Sequence, residues 1–174
     1  SKVTNMSYMF SYCEKLKNFN LTNFNTSKVT TMLRMFVGCK SIENFDISSF
    51  NTSNVTTMEA MFAGINLKTL NLSNFETSKV TSMRIMFYNT SLINLDISSF
   101  NTPNLINIDS MFELSNSLET INMNNFNFSK ITTAGNTFNN CNSLKEIDFR
   151  NVDSSSYSNS LFINELSNLA SGIK

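Results

Sequence analysis

Six residues at one recurring position are the first candidates for chemistry: Asn20, Asp46, Asn71, Asp96, Asn122 and Asp148. The stretches "DISSFNTSNVTTMEAMF" from Asp46 and "DISSFNTPNLINIDSMF" from Asp96 are near copies, with "NLSNFETSKVTSMRIMF" from Asn71 between them. Recurring carboxylates are what glycoside hydrolysis uses, as a pair about 5–10 Å apart. Nothing in the neighbouring residues sets one carboxyl apart from the next, so no hydrolytic pair is expected. A calcium site needs six or more converging oxygens, and a straight row of short side chains does not supply them. The chain has no His. That removes the usual general base, the Ser-His and Cys-His dyads and most zinc sites. None of the 4 Gly makes a phosphate-cradling loop. The expectation is a non-enzymatic protein with no cofactor and no metal.

What positions these residues is a repeat. Val3, Val29, Val55, Val80, Leu105 and Ile131 head six copies of one pattern, at steps of 26, 26, 25, 25 and 26 residues. A fixed period in this range marks a solenoid, in which each unit buries its apolar face on the next. Eleven of the 16 Phe fall in two columns. One runs Phe10, Phe36, Phe62, Phe87, Phe112, Phe138; the other runs Phe24, Phe50, Phe75, Phe100, Phe126. Met6, Met9 and their equivalents form two more, and all four columns read as one continuous core. Met6, Met9 and Phe10 stand at i, i+3 and i+4, which predicts a short helix, with Thr4, Thr30, Thr56, Thr81 and Thr132 as N-caps. Leu16, Phe19 and Leu21 alternate with polar residues into a short strand. Cys13, Cys39 and Cys141 share one column and read as buried fillers. A Cys13–Cys39 bridge is close enough by distance but disfavoured by parallel side chains.

The fold expected is therefore an α/β repeat solenoid, a parallel sheet on one face and short helices opposite. Residues 1–156 form six repeats of 25–26 residues, and 157–174 form a C-terminal capping helix. Ser160 to Ala170 carries Leu161, Phe162, Leu166 and Leu169 at helical spacing, with Gly172 as a stop. The chain opens in mid-pattern at "SKVTNMSYMF", which reads as a piece of a longer protein.

The stretches "LTNFNTSKVTTMLRMF" and "DISSFNTSNVTTMEAMF" resemble the BspA-like leucine-rich repeats, domain of unknown function 285, over about nine-tenths of the chain. The resemblance implies a right-handed leucine-rich-repeat solenoid. It also implies a surface-exposed bacterial protein, often a lipoprotein of mycoplasma type, with adhesive or host-interaction roles.

Charge narrows the partners. Lys plus Arg and Asp plus Glu are each 13, so there is no basic excess to bind nucleic acid or a membrane surface. No apolar run spans a bilayer, so a membrane is reached only through a lipid anchor outside this sequence. Asn20, Asp46, Asn71, Asp96, Asn122 and Asp148 are placed on the solvent face of the strands. The next outward column holds Asn44, Thr69, Asn94 and Thr120, with Asn18 and Glu146. Strands stack about 4.8 Å apart, so alternating Asp with Asn holds like charges roughly 10 Å apart, near one Debye length. Two readings stay open. The ladder either simply keeps the strand face soluble or binds a polar extracellular protein or glycan of a host cell or matrix. The first makes the chain a structural or antigenic spacer, the second an adhesin segment at the cell surface.

Overall fold

The computed structural model describes residues 2–18, 20–152 and 160–167. The expectations for Phe19, Ser156, Leu169, Gly172 and the end of the capping helix lie outside these residues, as does the side chain of Phe162.

Successive repeats lie side by side in parallel. One residue from each repeat joins a chain of parallel bridges, Asn5 to Thr31 to Thr57 to Ser82 to Asn107 to Thr133. The core runs down the middle. Phe10, Phe36, Phe62, Phe87, Phe112 and Phe138 stack in a column, ring centroids 5.5, 6.0, 5.9, 5.7 and 5.4 Å apart and nearly coplanar in orientation. Val29, Val55, Val80 and Leu105 are fully buried beside them. Cys39 and Cys141 are buried and Cys13 is half-buried, all as free thiols. The Cys39 thiol donates to the Phe10 carbonyl and the Cys141 thiol to the Phe112 carbonyl, both at 3.0 Å. The Ser115 hydroxyl does the same toward Phe87 at 2.7 Å. Ile65 fills the same buried column without a donor, so the bond is made where the residue allows it and is not required.

The helices predicted at the M-x-x-M-F segments are absent among the described residues; these segments are runs of turns. Each has two residues with positive φ, such as Arg34 (53°) with Gly38 (69°), and Ile85 (49°) with Asn89 (51°). A left-handed residue within the first turn breaks an α-helix. Alternation turns the amides of every second residue toward the following repeat. Met32, Arg34, Phe36 and Gly38 donate to Thr57, Glu59, Met61 and Ala63, and the same four bonds recur at all five junctions. The apolar i, i+3, i+4 spacing fits these turns as well as a helix. The Thr expected as N-caps serve the stack instead. Thr30, Thr56 and Thr81 donate amide and hydroxyl to the carbonyl of Thr4, Thr30 and Thr56 in turn.

Buried threonines make a further ladder. The Thr52 hydroxyl donates to the Glu76 carbonyl at 2.9 Å and accepts the Glu76 amide at 2.8 Å. Thr26 and Thr102 do the same with Asn51 and Asn127. The ladder stops where Phe128 replaces Thr and packs on Phe126 at 4.9 Å.

The strand side is less regular. β1 (Asn94–Asp96), β2 (Thr120–Asn122) and β3 (Glu146–Asp148) form a parallel sheet in that order, in register Asp96, Asn122, Asp148. In the first three repeats the only described pairing is the bridge Asn18 to Asn44. Ile97 donates to Asn122 and Met123 to Asp148, whereas the amides of Leu21, Ile47 and Leu72 make no such bond among the described residues. The inward side chain differs. Phe45 stands where β1–β3 have Leu95, Ile121 and Ile147, and its ring lies edge-on to Phe36 (4.8 Å) and to Phe62 of the next repeat (6.1 Å). A ring wedged into that junction leaves the two strands unpaired. Helix α1 (Ser160–Ser167) follows, with Leu166 packed on the core.

Candidate functional site

In β1–β3 the middle residue points inward and its neighbours outward, because side chains alternate along a strand. Leu95 and Ile121 are buried while Asn94 and Asp96 are exposed. This alternation brings the ten predicted residues to one face, where they line two adjoining grooves. A groove of about 1080 Å³ holds Asn20, Asn44, Asp46, Thr69 and Asn71. A smaller one of about 420 Å³ holds Thr69, Asn71, Asn94, Asp96, Thr120, Asn122 and Asp148. The larger groove lies over the unpaired strands.

The Asn/Asp column has a local task. In every copy the side-chain Oδ1 accepts the amide two residues on. Thr22, Ser48, Ser73, Ser98, Asn124 and Arg150 donate to Asn20, Asp46, Asn71, Asp96, Asn122 and Asp148 at 2.9–3.2 Å. This Asx turn ends each strand. Asn and Asp both supply that oxygen, so either fits. The outer column bonds to itself in pairs. Asn44 donates to Asn18 and Thr120 to Asn94, both at 2.8 Å. Thr69, between the pairs, makes no side-chain bond among the described residues.

Electrostatics differ between the grooves. The Ser48 hydroxyl and amide hold the Asp46 carboxyl below its ordinary pKa. Arg150 grips Asp148 with Nε at 2.9 Å and a terminal nitrogen at 2.6 Å, and Asn124 adds a bond at 3.1 Å. These contacts, Arg150 first, hold Asp148 far below the usual carboxylate range. Both carboxyls are therefore anionic throughout the neutral range. Arg150 was missed by the sequence reading; its place two residues after the Asp, where other repeats have Ser, Thr or Asn, was the available signal. Also missed was a charge column one step further out. Lys17 pairs with Glu43 at 2.9 Å and Lys145 with Glu119 at 2.8 Å. Lys68 lies in the same column and lines the larger groove without a carboxylate partner among the described residues. No cluster of three metal-ligating groups is present among the described residues, and no described helix is long and apolar enough to cross a membrane.

The arrangement can present hydrogen-bond donors and acceptors at the repeat spacing along a polar, open surface. A family model described as "Mycoplasma protein of unknown function, DUF285" matches residues 1–69 and again residues 64–171. No curated protein and no solved structure matches the chain. The chain belongs to the DUF285 family.

Proposed function

We propose that this DUF285 chain is a surface-exposed binding module without catalytic activity. It is read as a right-handed solenoid of BspA-like leucine-rich-repeat type, an adhesin or host-interaction segment on the outside of a bacterial cell. Its ligand is a polar, extended extracellular chain, a glycan or a peptide, taken up along the strand face. The observation that carries this reading is the gathering of all ten Asn, Asp and Thr groups into two adjoining grooves on one exposed face. Asn and Thr side chains both donate and accept, which suits sugar hydroxyls or peptide groups. The carboxylates of Asp46, Asp96 and Asp148 oppose anionic polymers.

One observation favours a second reading. The Asn/Asp column is already needed for the Asx turns, so its recurrence does not itself require a ligand. In that case the chain is a spacer of a surface lipoprotein. The two are separated by binding to a glycan and matrix-protein array. The triple variant Asp46→Lys, Asp96→Lys, Asp148→Lys is compared with Lys28→Glu, Lys79→Glu, Lys130→Glu, at three exposed lysines that immediately precede Val29, Val80 and Ile131 and line neither groove. An adhesin loses binding in the first set and keeps it in the second, both staying folded by circular dichroism. Loss only in the second set puts the site on another face. No binding by the unchanged chain leaves the spacer.

A further inference from the structure

One segment of the strand side lacks backbone partners on both flanks. Residues 69–71 run exposed, buried, exposed, as β1 does, which is the alternation of a strand. They stand one repeat before β1 and one repeat after residues 44–46. Yet the backbone amides and carbonyls of Thr69, Leu70 and Asn71 make no hydrogen bond among the described residues. Toward the fourth repeat, pairing stops at the Ile93 amide on the Lys68 carbonyl, 3.1 Å. Toward the second repeat, the Phe45 ring is wedged in the junction. Leu70 is only 9% exposed, and a buried backbone group without a partner is costly. Thr69, Leu70 and Asn71 line both grooves, so this segment divides them.

We propose that residues 69–71 are a docking strand for an extended polypeptide, which pairs with their unpaired backbone and sets an acidic side chain against Lys68. This rests on the reading of the strand face as a binding surface, and it chooses the peptide over the glycan. The backbone decides the class of ligand. A strand presents N–H and C=O groups at about 3.3 Å per residue. A second polypeptide repeats both groups at that rise, whereas the hydroxyls of a sugar chain do not keep it. Unpaired strand groups are a template for such addition, in which main-chain bonds give affinity and side-chain contacts give specificity. Charge decides the side chain. In the larger groove Glu43 holds Lys17 at 2.9 Å and Asp46 accepts the Ser48 amide at 2.9 Å. Lys68 lines the same groove with no carboxylate partner among the described residues. Leu67 and Leu70 beside it give the groove an apolar part.

The test uses the whole chain and a displayed library of random peptides about seven residues long, enough to span residues 66–71 at strand rise. Peptides selected by the unchanged chain should carry Asp or Glu, and their binding should slow hydrogen exchange at the Thr69, Leu70 and Asn71 amides. Thr69→Pro removes one donor and no internal bond, so affinity should fall about tenfold or more in a folded chain. Lys68→Glu should abolish the preference for Asp or Glu, and Lys68→Arg should keep it. N-methylation of alternate residues of the selected peptide makes the same cut with the protein unaltered, which decides the matter even if Thr69→Pro unfolds. One register of methylation should abolish binding and the other spare it. Full binding in both registers, or protection only away from residues 69–71, overturns the proposal. If the library yields no binder while the array shows glycan binding, this inference falls and the binding-module reading stands. If neither binds, both fall and the spacer reading remains.

Discussion

The turn side and the strand side of this molecule are built from the same repeats, yet only one is continuous. On the turn side, four backbone bonds cross every junction and a column of phenylalanine rings runs beside them. On the strand side, a full ladder exists at β1–β3 and lapses over the first three repeats. The difference teaches where regularity is enforced. A junction that satisfies its backbone within the buried stack admits little change, because each lost bond leaves a buried polar group unpaired. A face open to solvent tolerates a Phe in place of a Leu and the grooves that follow. The turn side acts as a spine, and the strand side is free to vary as a surface.

The largest expected effect comes from cutting the spine. Phe62 is fully buried between Phe36 and Phe87, so Phe62→Ala should cost about 3–5 kcal/mol in denaturant unfolding. Phe10 has one stacking neighbour in its column and is only partly buried, so Phe10→Ala should cost clearly less. Equal losses would break the comparison.

A smaller effect is expected at the buried threonines. Thr52→Val keeps the shape and leaves the Glu76 carbonyl and amide unpaired, a loss of roughly 1–3 kcal/mol. Thr57→Val, at a partly exposed turn position, should change stability by less.

The thiols report the same division by pH. Burial pushes Cys39 up to about 11 and Cys141 up to about 12, from an ordinary value of 9.0. An acid raised in the folded state keeps a proton that the unfolded chain has lost. Stability is thus unaffected by these groups below pH 9 and falls as pH rises from there toward 11 and 12. Cys39→Ser with Cys141→Ser should flatten that decline. In the native protein a thiol reagent at pH 8 should reach half-buried Cys13 first, and Cys39 and Cys141 only on unfolding.

The smallest effect tests the turns themselves. Ile85 is β-branched at φ 49°, a conformation that costs such a residue about 1–2 kcal/mol. Asn tolerates it better, so Ile85→Asn should gain up to about 1 kcal/mol in spite of the apolar surface lost. A clear loss would mean that the segment is not held in this alternation.

Much of this was readable in advance, and the failures have causes. Residues recurring at a fixed step must stack, so the Phe, Met and Cys columns could be assigned to the core before any coordinates. The face carrying Asp46, Asp96 and Asp148 followed from simple alternation. The turn conformation did not, because a helix and a run of turns both bury i, i+3 and i+4. Gly38, Gly64, Asn89, Asn136 and Asn140 were the clue, being residues that accept positive φ. The Asp-to-Asn alternation was read through charge alone, while the shared Oδ1 of the Asx turn explains why either residue serves. The lapse of the sheet was unreadable, since it depends on where the Phe45 ring wedges.

Ile47 and Ile97 occupy the same column, are the same residue and are only 2% and 0% exposed. They differ in that the Ile97 amide donates to Asn122 at 2.9 Å while the Ile47 amide makes no equivalent bond among the described residues. Residue-resolved hydrogen exchange on the intact chain therefore tests most directly whether a rigid spine carries an open strand face. The amides of Arg34, Ala60, Ile85 and Ser110 should exchange slowly and alike, and Ile97 with them, while Ile47 exchanges at least tenfold faster, about 1.4 kcal/mol in opening free energy. Equal protection of Ile47 and Ile97, or faster exchange along the turn side than at Ile47, would contradict the account.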